Sequence, residues 1–226
     1  MIRKLLLLCL SVAISLPILR AQNFEGIIIY ERTTSDGKLA LITYYFGDQK
    51  IRKDSRFIFS DYFRDYVTIM DFKNYTNKYF SDSGDNMPFR PMEITKNSIA
   101  RMDVLPDVMK PFLGYECYRI DIEFEIGPFS SLLTQTRFHA KDLKFSVPEE
   151  WMLDYSMIIS GDDNICLYST TYLDTVDPDL RRLVGDGGSF TFRAIKVIPK
   201  KLPDALFDYD TLLAESKYNN QERAIE

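Results

Sequence analysis

The feature that most constrains this chain is a strict alternation of apolar and charged residues. In residues 113–127, LGYECYRIDIEFEIG, Tyr118, Ile120, Ile122, Phe124 and Ile126 fall on one side. Arg119, Asp121, Glu123 and Glu125 fall on the other. A period of two belongs to a β-strand, because successive side chains leave opposite faces. The strand has a dry face that must cover an interior and a wet face toward solvent, with Cys117 at the head of the wet side.

Runs of the same kind fill much of the chain. They are FEGIIIYER at 24–32, LALITYYF at 39–46, KIRKDSRFIF at 50–59, YVTIMDF at 66–72 and YTNKYF at 75–80. Short connections such as TSDGK and GDQ separate them, which predicts an antiparallel meander rich in aromatic and β-branched residues. Residues 81–111 carry four prolines and no clean period. A short strand at 92–95 followed by an ordered loop is expected there. GPFSS then joins the 113–127 strand to LLTQTRFHA at 132–140, and further strands are expected at 164–173 and 190–198. Asp177 as N-cap, Pro178 at the first helical position and Gly185 as a stop predict one short helix. Residues 202–220 suggest one or two further helical turns. Residues 143–162, with Trp151, carry no assignable pattern.

Several strands are apolar on both sides. Ile28 and Tyr30 oppose Ile27 and Ile29, and Leu39 and Leu41 oppose Ile42, Tyr44 and Phe46. A one-sided antiparallel sheet alternates cleanly, so two-sided strands belong to a barrel or to a curved sheet with helices on its concave side. The expected fold is mainly β (α+β), a curved antiparallel sheet forming an incomplete β-barrel with a few short helices. It makes one domain over residues 22–210, and residues 211–226 form a tail, partly helical or frayed.

The opening MIRKLLLLCLSVAISLPILRAQ reads as a secretory signal peptide. Arg3 and Lys4 precede an apolar run that Ser and Pro17 keep too interrupted to span a bilayer, and Ala21 marks the cleavage point. Cys9 lacks the small residue before it that a lipoprotein signal needs. The mature chain is therefore expected in the periplasm or outside the cell, with no transmembrane segment. Its net charge of −5 becomes three units more negative when Arg3, Lys4 and Arg20 leave with the signal. That excludes a nucleic-acid partner, which calls for a basic face, and gives no attraction to an anionic membrane. The same cleavage leaves two cysteines, Cys117 and Cys166. In an exported chain an even pair predicts one disulfide, which closes a loop of roughly 50 residues and is worth on the order of 4 kcal/mol. The alternative is two separate buried thiols.

Catalytic signals are weak. The single histidine, His139, shares strand parity with Leu133, Gln135 and Arg137, and no GxSxG elbow accompanies it. The acidic pairs Asp82/Asp85, Asp162/Asp163 and Asp177/Asp179 lack calcium-loop spacing and read as turns. GDGG at 185–188 precedes a strand and does not open a helix, so it makes no phosphate site. No catalytic residue, metal or cofactor is expected. The 16 Phe and 14 Tyr are more informative. They make either an ordinary core or a lumen that takes an apolar ligand. Strand parity picks Ile28, Tyr30, Tyr44, Phe46, Met70, Phe72, Ile122, Phe124 and Phe138 as the candidate lining.

Three stretches in order carry a family resemblance. They are FEGIIIYER followed by YYFGDQKIRKDS, LGYECYRI followed by RFHAKDL, and FRAIKVIPKKLPDALFDY. Together they resemble an uncharacterised exported bacterial family related to the LolA/LolB-like lipoprotein carriers, across most of residues 23–209. Arg52 matches the family's arginine after the first turn, and Cys117 its GYxC cysteine. Phe138-His139-Ala140 replaces an aromatic-led strand, and FDYD lacks the closing proline. The resemblance implies a half-barrel whose apolar concave face accepts acyl chains. The expected function is non-catalytic binding of a lipid, acyl chain or lipoprotein in the cell envelope. An envelope protein–protein interaction module with a filled cavity is the alternative. An envelope hydrolase using His139 comes third.

Overall fold

The computed structural model of the chain describes residues 23–37, 39–57, 66–81, 99–126, 131–148, 159, 163–174 and 188–223. Ten strands form one antiparallel sheet: β1 Gly26–Thr34, β2 Leu39–Gly47, β3 Lys50–Phe57, β4 Tyr66–Asp71, β5 Thr76–Ser81, β6 Ile99–Phe112, β7 Tyr115–Ile126, β8 Ser131–Lys144, β9 Asn164–Asp174 and β10 Ser189–Pro199. The strand order is β5-β4-β3-β2-β1-β10-β9-β8-β7-β6. The chain starts at the middle of the sheet, steps outward to β5, resumes at the far edge with β6, and steps back until β10 pairs with β1. The edges β5 and β6 do not pair, so the sheet stays open. The fold is mainly β, as the alternation predicts.

Register assigns the side chains to two faces. On the core face Tyr30 lies opposite Ile42 and Ala194, and Ile28 opposite Tyr44. Phe46 lies opposite Ile51, which faces Met70. On the other arm Phe192 faces Ser169, Ser169 faces Arg137, and Arg137 faces Ile120. The dry side of the 113–127 strand is thus continuous with Tyr30, and Tyr118, Ile120, Ile122 and Phe124 are all buried.

The second apolar side of β1–β4 has its own cover. Ile27, Tyr45, Val67 and Ile69 meet Leu202, Leu206, Phe207, Tyr209 and Leu212, from the 3-10 turn Asp204–Phe207 and the helix α1 Tyr209–Arg223. The two-sided strands anticipated this, but the helix lies against the face opposite Tyr30 and Phe46, not inside a concavity they line. Gly47 admits the Phe207 ring: a Cβ there would stand 2.6 Å from its Cζ. Asp208 starts α1, its Oδ1 accepting from the N–H of Asp210 at 3.1 Å and of Thr211 at 3.2 Å. Arg52, the arginine of the family resemblance, grips Asp54 through Nε and Nη2 at 2.7 and 2.6 Å and donates from Nη1 to the Leu206 carbonyl at 3.2 Å. It ties the C-terminal segment to β3.

The largest departure from expectation is β6. Residues 99–112 form a 14-residue strand, not a loop. Pro106 and Pro111 disguise it. Proline lacks an N–H and is confined to sheet edges and bulges, and β6 is an edge whose pairing with β7 slips between Leu105 and Met109. The strand expected at 92–95, the helix at 177–185, Trp151, the signal peptide and the acidic pairs other than Asp163 lie outside the described residues.

Candidate functional site

Eight of the nine candidate lining residues are buried in two clusters, and the ninth, Phe138, packs against the first of them. Ile28, Tyr30, Tyr44, Phe46, Met70 and Phe72 are buried in one cluster with Phe145, Leu167 and Phe192. Their rings occupy one another's space. Phe46 lies 5.5 Å from Phe24 and 5.2 Å from Phe145, and Tyr30 stacks on Phe192 at 4.3 Å. The Tyr30 hydroxyl donates to the Cys166 carbonyl at 2.8 Å, and burial raises its pKa well above the usual phenol value. Ile122 and Phe124 belong to a second cluster with Tyr118, Ile120, Leu133, Leu173 and Phe190.

Phe138 is only partly buried and packs against that first cluster, as Phe112 does. It pairs with Arg119 and Tyr168, so it lies on the face opposite Ile122 and Phe124. There it joins Phe112 and Tyr168, with ring centroids at 5.4 and 6.1 Å, and the Lys110 ammonium sits 5.1–5.7 Å above the three rings. The wet side of β7 is a salt-bridged surface. Arg119 holds Asp121 at 2.8 Å, Arg101 holds Asp103 at 2.7 Å, and Thr136 donates to Asp121 at 2.7 Å. A shallow groove of about 380 Å³ runs between these residues, Thr134 and Tyr172.

The expected disulfide is absent: Cys117 and Cys166 are free, buried thiols. Topology gives the reason. Cys117 faces Ala140 on β8, and Cys166 faces His139 on the other side of β8. Two strand spacings separate them by about 10 Å, beyond the roughly 7 Å between Cα atoms that a disulfide tolerates. Burial first, and for Cys117 the nearby Cys166, push the thiols up from 9.0 to about 12 and about 11 respectively. Thiols held so far from thiolate are unreactive.

The core face also holds a buried polar row that parity did not flag. His139 is fully buried, and its Nδ1 donates to the Asn164 carbonyl at 2.8 Å. Asn164 Nδ2 donates to the Tyr118 hydroxyl at 3.1 Å. One turn of the pleat away, Arg137 Nε donates to Gln135 Oε1 at 2.8 Å, Arg137 Nη2 donates to the same oxygen, and Gln135 Nε2 donates to Thr171 Oγ1 at 3.1 Å. Burial lowers Arg137 to about 10, which leaves it charged at neutral pH. On β3, burial works against the Lys53 ammonium, but the Tyr44 and Tyr66 hydroxyls outweigh it and hold the group above its ordinary value.

The uncovered apolar surface lies at the far end of the same face. On β6, Met102 faces Ile122, Val104 faces Ile120, and Met109 faces Tyr118. The β7 partners are buried, whereas Met102, Val104 and Met109 are 52%, 49% and 38% exposed. Sequence reasoning missed this strip because it missed the strand. The alternating pair Met102 and Val104, flanked by Arg101 and Asp103, was its legible signal.

No family model matches the chain, and no curated protein matches it. Among solved structures, a DUF1329 family protein from Desulfovibrio piger matches distantly, at 10% identity and a TM-score of 0.25, over 85% of this chain and 93% of that one. A likeness of that size carries no argument about function.

Proposed function

We propose that this protein binds an apolar ligand without catalysis, a lipid, an acyl chain or a lipid-modified protein, on the core face at its β6–β7 end. The supporting observation is the uncovered strip of Met102, Val104 and Met109, in register with the buried row Ile122, Ile120 and Tyr118. Each buried methylene of a ligand there contributes roughly 0.8 kcal/mol. The proposal includes a bacterial periplasmic or secreted setting, supported by the signal-like pattern of residues 1–21, and the LolA/LolB resemblance accords with an acyl ligand. The residues first picked from parity around Phe46 pack against each other, so the binding surface moves from there to β6. Native mass spectrometry of protein purified from a bacterial periplasm tests the reading. A lipid released on denaturation from the wild type, and lost in Val104→Asp, is the expected result. Ligand-free protein in both would contradict it.

A second reading has its own observation. The filled cluster around Phe46 favours an envelope interaction module, in which β6 meets a protein partner. Pro106, Pro111 and the charges of Arg101, Asp103 and Lys110 blunt the strand's backbone edge, and so favour contact through its apolar face over added strand pairing.

A further inference from the structure

We propose that the ligand of the β6–β7 face is a long-chain carboxylate whose carboxyl group is held by Arg137. The inference rests on the apolar-ligand reading and names the chemistry of its head group. Arg137 is 2% exposed on the core face. Two of its nitrogens donate to Gln135 Oε1, and Thr171 fixes Gln135 by accepting from the other end of its amide. Nη1 makes no hydrogen bond among the described residues, and no carboxylate there pairs with the guanidinium. The ring of Phe124 lies 5.9 Å from the charge. Taking a cation out of water without an anion is costly, and a site that keeps one is prepared for an anionic partner.

Register supplies the geometry. Arg137 faces Ile120, which faces Val104, and Gln135 faces Ile122, which faces Met102. The guanidinium therefore stands in the same cross-strand row as the exposed strip, two strand spacings or about 10 Å inward. An acyl chain lying over Met102 and Val104 brings its polar end to Arg137 by displacing the side chains that bury Ile120 and Ile122. A planar carboxylate matches the guanidinium fork with two parallel hydrogen bonds, a match that an alcohol or an ammonium cannot make.

Calorimetric titration of the delipidated full-length protein tests this with three probes of equal tail: laurate, dodecanol and dodecyltrimethylammonium. Laurate is expected to bind about tenfold or more tighter than dodecanol, as charge-assisted hydrogen bonds require, with the ammonium weakest. Arg137→Met should erase that preference while keeping dodecanol binding. Should this variant fail to fold, the wild-type series decides alone. Equal binding of laurate and dodecanol by the wild type would overturn the head-group assignment and leave the apolar-ligand reading standing. Binding of none of the three would overturn both. Dodecyl phosphate is titrated as a fourth probe, and its clear preference over laurate would assign Arg137 to a phosphate head and overturn the carboxylate.

Discussion

The two arms of the sheet are built alike and finished differently. In the β1–β5 arm both faces are closed. Tyr30, Tyr44 and Phe46 pack into the main cluster on one side, and Ile27, Tyr45 and Ile69 lie under the 3-10 turn and α1 on the other. In the β6–β7 arm the apolar alternation continues, Ile120 and Ile122 are buried, and the next strand out leaves Met102 and Val104 half in solvent. The same period-two pattern thus yields a finished core where something covers it and an open surface where, among the described residues, nothing does. Apolar alternation identifies a face that prefers to be covered, but it does not say by what.

The contrast is most easily broken by truncation. Phe46→Ala removes a fully buried ring that touches Phe24 and Phe145, and should cost about 3–5 kcal/mol in urea unfolding. Val104→Ala, on the open arm, should stay within about 0.5 kcal/mol. Equal costs would erase the distinction between the arms. A smaller effect tests the second cover. Gly47→Ala forces the Phe207 ring away and should cost about 1–3 kcal/mol while speeding proteolysis of α1. Tyr30→Phe leaves the Cys166 carbonyl without its donor and should cost about 1 kcal/mol.

The thiols sharpen the picture of the junction between the arms. Both are raised in the folded protein, so the unfolded chain loses these protons first as pH rises. Their contribution to stability is whole below about pH 9 and is lost as pH climbs through the values of about 11 and about 12 for Cys166 and Cys117. A urea midpoint that falls over that window in the wild type, and falls less in Cys117→Ala/Cys166→Ala, is the expected result. Thiol titration at pH 8 of a chain that begins at Gln22, and so lacks Cys9, should find no reactive cysteine before denaturant is added and two after. A single fast-reacting thiol in the native state would contradict the buried placement.

Much of the sheet is legible in the sequence because turns and alternation are local signals. The strands at 24–32, 39–46 and 164–173 reappear as β1, β2 and β9 because TSDGK, GDQ and the period of two depend on neighbouring residues only. What was not legible depended on partners distant in sequence. Residues 99–112 look like a loop until an edge position makes Pro106 and Pro111 tolerable. The spacing of Cys117 and Cys166 suits a bridge until β8 is found between them. Parity placed Ile122 and Phe124 together correctly, but it could not align β8 with β7, and so put Phe138 on their face when register puts it on the other. Arg137 reads as an ordinary charged residue until three strands bury it.

Amide hydrogen exchange of the full-length protein with and without laurate tests the open-arm account most directly. The account predicts added protection in residues 99–126, strands β6 and β7, with β1 to β3 unchanged because they are already closed. Protection appearing in residues 26–57, or in no segment at saturating laurate, would contradict it.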